Sequence, residues 1–196
     1  MNNREDILSR VNKEIAEHFE YYKNELKSGD KIVDIGVGTG NTAGFIKNHI
    51  KGVSVLGVDI INSCQNAEIP VTLYKNMTMP SDDKEFDVAL LFYVLHHSKS
   101  PGLILEEAKR ITRRAVLIIE DFHIGSWDED EELDEELQVQ ECIGLPTHNV
   151  HHSGLQRDSL KRLIEEKGFR IEKSVKLPSK TTRKIEKWLY ILSIPQ

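Results

Sequence analysis

The chain has 196 residues, a formal net charge of −6, and 39% hydrophobic against 30% charged residues. That length suits one domain with a sizeable core, and the acidic balance argues against nucleic acid, which needs a basic face. Cys64 and Cys142 follow no disulfide spacing, no apolar run approaches the ~20 residues that span a bilayer, and the start is charged throughout, so a cytoplasmic protein without membrane contact is expected.

Apolar residues at Ile7, Leu8, Val11, Ile15, Phe19, Tyr22 and Leu26 recur every three or four positions and predict an amphipathic helix, which Gly29 stops. Residues 31–35 (KIVDI) read as a buried strand that runs into a glycine turn, Gly36, Gly38 and Gly40. A helix follows over 41–50, then a second strand over 53–58 closed by Asp59. Residues 61–67 allow a short helix, 71–74 a third strand after Pro70, and 77–84 a loop. The run FDVALLFYV (86–94) suits a central strand buried on both faces. Pro101 opens a helix to Thr112, and AVLII (115–119) is another buried strand.

Residues 126–140 are strongly acidic, as expected of a solvated helix face; a lid over the site is the alternative. A loop over 144–154 carries His148, His151 and His152. A helix over 159–167 stops at Gly168, and 169–177 and 185–194 read as a final antiparallel strand pair. The order βαβαβ, then βαβ, then a strand pair, predicts a doubly wound α/β domain. One domain covers 1–196: an N-terminal helix (1–28), a cofactor-binding half (29–122), and substrate-side helices with the strand pair (123–196).

The turn after the first strand can hold one of two ligand classes. A dinucleotide turn is G-x-G-x-x-G, with its pyrophosphate on the helix N-terminus. Here the glycines run G-x-G-x-G, and Asn41 stands where that pattern wants its third glycine. Asp34, two residues before Gly36, would repel a pyrophosphate and attract an ammonium or sulfonium.

The stretch DIGVGTG, Asp59 closing the second strand, and FDVALLFYVLHH together resemble class I S-adenosylmethionine-dependent methyltransferases, with the M-P and L-H-H around the fourth strand similar to the small-molecule subgroup. The resemblance covers residues 30–120 and is looser beyond. It implies a Rossmann-like, doubly wound, seven-stranded sheet, mostly parallel with an antiparallel last strand and with helices on both faces. It implies S-adenosyl-L-methionine as cofactor, with Asp34 and the Gly36–Val37–Gly38–Thr39–Gly40 backbone at its amino-acid end. Asp59 would take the ribose hydroxyls as a bidentate acceptor, and Ile60 the adenine face. Asn76 and Met77 would meet the adenine edge, and the Phe92 backbone with the Tyr93 side chain the methionine portion. Lys75 departs from the pattern, because many relatives have an aspartate there to accept from the adenine amino group and lysine has no acceptor.

A sulfonium methyl is already activated, so the protein must chiefly align an acceptor and exclude water. The expected partner is a small-molecule methyl acceptor. An oxygen or nitrogen acceptor also needs a base, and His97, Asp121, His123 and His151 are the candidates, with Glu120 beside them. His96 and His97 suit a helix start and packing better than catalysis. His148, His151 and His152 invite zinc but match no ligand spacing, so no metal is expected. A cofactor-binding protein without catalysis, or a partner subunit, is the alternative function. A nucleotide-cofactor oxidoreductase is a third.

Overall fold

A computed structural model describes residues 4–75, 78–124, 140, 144–145, 155–179 and 185–195. The expectations for Asn76, Met77, His148, His151, His152 and most of the acidic segment lie outside these residues, as does the side chain of His123.

The elements are α1 (Arg4–Tyr22), β1 (Lys31–Ile35), α2 (Asn41–His49), β2 (Ser54–Asp59), β3 (Val71–Leu73), β4 (Phe86–Phe92), α3 (Pro101–Ile111), β5 (Thr112–His123), α4 (Arg157–Glu166), β6 (Arg170–Leu177) and β7 (Ile185–Ser193). Short 3₁₀ turns cover Lys23–Glu25 and Leu95–His97. The sheet has seven strands in the order β3-β2-β1-β4-β5-β7-β6. β1 to β5 pair in parallel, and β7 runs antiparallel between β5 and β6. This is the expected mostly parallel sheet with an antiparallel last strand.

Strand alternation sorts the core into two layers, because successive side chains point to opposite faces. Ile32, Val88, Leu90, Leu117, Ile119, Leu189 and Ile191 pack with Phe19 and Tyr22 of α1 and with Ala43 and Ile46 of α2. Val33, Ile35, Ala89, Leu91, Val116, Ile118 and Leu192 pack with Ile104, Leu105 and Ala108 of α3 and with Leu160 and Ile164 of α4. Both faces are therefore covered, which explains why these strands read as continuous apolar runs.

Three expectations need correction. Residues 61–67 form no helix: the Gln65 amide donates to the Thr39 carbonyl (3.0 Å), and the Asn66 side chain accepts from the Glu68 amide (3.0 Å). These side-chain and cross-loop bonds replace the helical ladder. β4 ends at Phe92 rather than Val94, because Tyr93 turns the chain with a left-handed φ of 59°. β5 extends well past residues 115–119 at both ends, since β4 pairs with it back to Thr112 and β7 pairs with it out to His123.

Irregular segments are held by side chains. Arg110 of α3 donates to the Met79 and Ser81 carbonyls (3.0 and 2.8 Å), and Glu107 accepts from the Met79 amide (2.9 Å). They fix residues 78–81 of the connection between β3 and β4, whose described residues form no helix. Gly168, at φ 72°, ends α4 with its own amide on the Glu165 carbonyl and the Phe169 amide on that of Ile164, a Schellman stop. Among the described residues no helix is long and apolar enough to cross a membrane.

Candidate functional site

The carboxyl ends of β1, β2 and β4 lie side by side. Asp34 is in register with Gly57 of β2 and Leu90 of β4, and Ile35 with Val58. The glycine turn therefore leaves the sheet at the crevice where doubly wound folds bind ligands. Its backbone is tied down at both ends: the Gly36 amide donates to the Val58 carbonyl (2.8 Å) and the Gly40 amide to that of Val37 (2.9 Å). Gly36, Gly38 and Gly40 all have left-handed φ (75°, 51° and 78°), a conformation that side chains disfavour. A Cβ on Gly36 would also lie 1.9 Å from Val94 Cγ2, so the turn after β4 presses directly on this one.

Val37 is buried beneath the turn against Gly57, whose Cβ would stand 2.8 Å from both Val37 γ-carbons. That role for Gly57 is invisible in the sequence, where VSVLGV simply reads as a strand containing a glycine. Thr39 is buried as well.

Two carboxylates flank the turn. Asp34 is only 4% exposed and receives no hydrogen bond from the described residues. Burial first, and the charge of Asp59 second, push its carboxyl up to about 7. Asp59 folds back on the chain: Oδ2 accepts from the Gly38 amide (3.0 Å), and Oδ1 from the Ile60 and Ile61 amides (2.7 and 3.3 Å). A carboxylate offers about four lone-pair sites. Asp59 thus has one acceptor site left on Oδ2, and a bidentate grip on a diol requires it to release a backbone amide. Ile60 beside it is 63% exposed, an open apolar platform. Tyr74, mostly buried next to this edge, is pushed up to about 12 by burial and then by Asp59.

A partly unoccupied carboxylate pair beside a glycine turn that lacks side-chain cover fits a ligand that is cationic at one end and carries hydroxyls further along. Among the described residues, none brings Asp34 the counter-charge that such a ligand carries.

The second part of the site lies beyond the carboxyl ends of β4 and β5. The Phe92 ring turns away from the crevice to meet Tyr22 of α1, with centroids 5.2 Å apart, so only its backbone reaches the mouth. The left-handed backbone at Tyr93 costs a tyrosine on the order of 1–2 kcal/mol. It sends the hydroxyl toward α1, to His18 Nδ1 (3.2 Å) and Glu14 (3.3 Å). Lys187 of β7 sits over the Tyr93 ring, 4.6 Å from its centroid, and pairs with Glu14 (2.9 Å) and Asp121 (3.3 Å). Burial pulls the Lys187 ammonium down, but Asp121 and Glu14 outweigh it and leave it raised. Asp121 is raised by burial against the pull of Lys187 and His96, and its Oδ1 is enclosed without a hydrogen-bond partner among the described residues. Burial, then Asp121 and Glu14, push the Tyr93 phenol far above its ordinary range.

Glu120 is fully buried. Its Oε1 accepts from the Val94 and Leu95 amides (3.0 and 2.6 Å), and its Oε2 pairs with His96 Nδ1. The His96 and His97 rings lie 4.0 Å apart. Of the expected base candidates, Asp121 joins the lysine cluster, His97 lies next to the Glu120 pair, and His123 ends β5. Glu14, His18, Lys187 and the role of His96 escaped the sequence reading. His18 left a trace, as a polar residue between Ile15 and Tyr22 on the apolar stripe of α1.

A family model described as "Methyltransferase domain" matches residues 7–174. "Uncharacterized protein MJ1123" of Methanocaldococcus jannaschii is 34% identical over 119 residues, 56% of this chain and 53% of that protein. The chain thus spans about half the length of this curated relative. A crystal structure of a SAM-dependent methyltransferase from Aquifex aeolicus superposes with a TM-score of 0.67 at 16% identity, covering 100% of both chains. One of SAM-dependent methyltransferases from Methanosarcina mazei has a TM-score of 0.63 at 18% identity, covering 89% of this chain and 96% of that one. Haemonchus contortus phosphoethanolamine N-methyltransferase 2, with phosphomonomethylethanolamine and S-adenosylhomocysteine, has a TM-score of 0.68 at 14% identity, covering 94% of this chain and 53% of that one. These structures share the fold. With most of its length matched by the family model, this chain belongs to the methyltransferase-domain family.

Proposed function

We propose that this family member transfers the methyl group of S-adenosylmethionine to a small-molecule acceptor. The observation that carries the reading is Asp34: a buried carboxyl with no donor among the described residues, beside a glycine turn that exposes backbone. The cofactor's ammonium and sulfonium supply the positive charge this carboxyl lacks. The backbone of Gly36, Val37, Gly38, Thr39 and Gly40 holds the amino-acid end. Asp59 holds the ribose through its remaining acceptor site. Ile60 covers the adenine, with Asn76 and Met77 at its edge. The Phe92 backbone and Tyr93 bound the methionine portion.

When bound, the cofactor supplies an activated methyl. The chain's work is to hold the acceptor in line with the carbon–sulfur bond and keep water out. The half-buried cluster of Tyr93, Glu14, Lys187 and Asp121 seats α1 at the end of the sheet where the acceptor enters. A small acceptor is in keeping with the Haemonchus neighbour, whose structure holds phosphomonomethylethanolamine.

Isothermal calorimetry with S-adenosylmethionine and S-adenosylhomocysteine tests the cofactor half. Asp34→Ala and Asp59→Ala should each weaken binding at least tenfold, about 1.4 kcal/mol. Unchanged affinity in both variants would sink the assignment. Transfer of labelled methyl to a pool of cell metabolites tests catalysis, and a macromolecular product alone would overturn the small-molecule reading.

A further inference from the structure

An apolar bed lies past Asp59 where β2 and β3 leave the sheet. Leu73 is in register with Asp59, and the Tyr74 amide donates to the Asp59 carbonyl (3.0 Å), which carries the pairing one residue further. Ile60, Ile61 and Leu73 around this corner are 63%, 42% and 52% exposed. They make up half of the large exposed apolar side chains among the described residues, a concentration that marks a binding surface rather than scattered exposure. Side chains alternate along an extended chain, so Lys75 falls on the same side as Leu73 and Asp59, while Tyr74 is buried on the other. At about 3.3 Å per residue, Lys75 stands roughly 7 Å beyond Asp59 in the direction the strands run. Its backbone is held there by a bridge to Thr78. Its side chain is exposed, and its ammonium pairs with no carboxylate among the described residues.

On the methyltransferase reading above, Asp59 takes the ribose and Ile60 a face of the base. Lys75 is then the charged group at the edge of that base. A lysine donates up to three hydrogen bonds and accepts none. At C6 a purine presents an amino donor when it is adenine and an oxygen acceptor when it is a 6-oxopurine. Facing adenine, the ammonium meets another donor and has to swing to N1 to find an acceptor. Facing a 6-oxopurine it meets the oxygen directly, and a hydrogen bond from an ionised donor is the stronger kind.

We propose that Lys75 is a specificity-determining residue for the base, and that the site takes the 6-oxo form of the cofactor, an S-inosyl ligand, at least as well as the S-adenosyl form. This rests on the methyltransferase reading, which puts the base on Ile60.

Isothermal calorimetry with S-adenosylhomocysteine and S-inosylhomocysteine tests the proposal without a methyl acceptor. Wild type should bind the inosyl ligand as tightly as the adenosyl one, or tighter. Lys75→Met should weaken the inosyl ligand about fivefold and the adenosyl ligand by no more than about twofold. Lys75→Asp accepts from an amino group and repels a carbonyl oxygen, so it should favour the adenosyl ligand by about tenfold. Both substitutions replace an exposed side chain, so the fold should be kept, which the thermal midpoint checks. A wild type that prefers the adenosyl ligand by about threefold or more would overturn the proposal. So would a Lys75→Met variant that shifts both affinities equally or not at all. Failure of the wild type to bind either ligand would instead remove the cofactor reading itself, so the two failures are distinguishable.

Discussion

Replacing Asp34 with asparagine should stabilise the cofactor-free protein while weakening cofactor binding. In the unfolded chain this carboxyl ionises near 3.8, and in the folded chain at about 7. Between those values the folded protein holds a proton that the unfolded chain has released, so stability falls as pH rises from about 4 to 7. A shift of roughly three units corresponds to about 4 kcal/mol, an upper figure for a group this buried. Asparagine keeps the shape and cannot ionise. The variant should therefore match wild type near pH 4 and exceed it by up to ~4 kcal/mol at pH 8. Urea denaturation of both proteins at pH 5, 6, 7 and 8 measures the gap directly, and titrations elsewhere in the chain cancel in the difference. Binding should run the other way. On the proposed reading the cofactor needs the ionised carboxylate, so wild-type affinity should fall about tenfold per pH unit below 7, whereas the asparagine variant should bind weakly and with a flatter profile. A stability gap that stays constant from pH 5 to 8, or a variant less stable than wild type at pH 8, would refute the reasoning.

Other perturbations reach different parts of the site. Gly57→Ala puts a Cβ 2.8 Å from the Val37 γ-carbons, which should displace the glycine turn; about 1–3 kcal/mol of stability and a severalfold loss in S-adenosylhomocysteine affinity are expected by denaturation and calorimetry. Gly36→Ala combines a left-handed backbone with a 1.9 Å approach to Val94, so soluble expression or the thermal midpoint should fall further than for Gly57→Ala. Lys187→Met leaves Glu14 and Asp121 without their shared cation and should cost about 3–5 kcal/mol at pH 8 in urea denaturation. That cost should shrink toward pH 5, because Asp121 is already raised and can protonate.

The glycine turn and the two carboxylates that flank it were legible in the sequence, because their signals are local. Three glycines, Asp34 and Asp59 lie on consecutive elements of one strand–helix–strand unit, and the apolar runs of β1 and β4 mark strands covered on both faces. The corrected elements failed for non-local reasons. Residues 61–67 have helical spacing but spend their hydrogen bonds on Thr39 and on the Asn66 side chain, and the length of β5 depends on β7, more than sixty residues later. The second half of the site was illegible for the same cause. Glu14, Tyr93, Asp121 and Lys187 come from α1, the end of β4, β5 and β7, and no spacing relates them. Glu120 was visible as a carboxylate after β5, but only the parallel pairing of β4 with β5 shows that it faces His96.

The position of β7 has a consequence for how the molecule is made. This strand is translated after β6 yet lies between β6 and β5. While the ribosome has delivered only the chain through β6, the β5 edge is open and β6 has no neighbour to pair with. An open edge as apolar as Ala115–Ile119 invites pairing with another chain. Sheet closure therefore waits for β7 and is a late event of high contact order. Nascent chains stalled before Ile185 should depend on a holdase chaperone, which chains released beyond Ser193 no longer need.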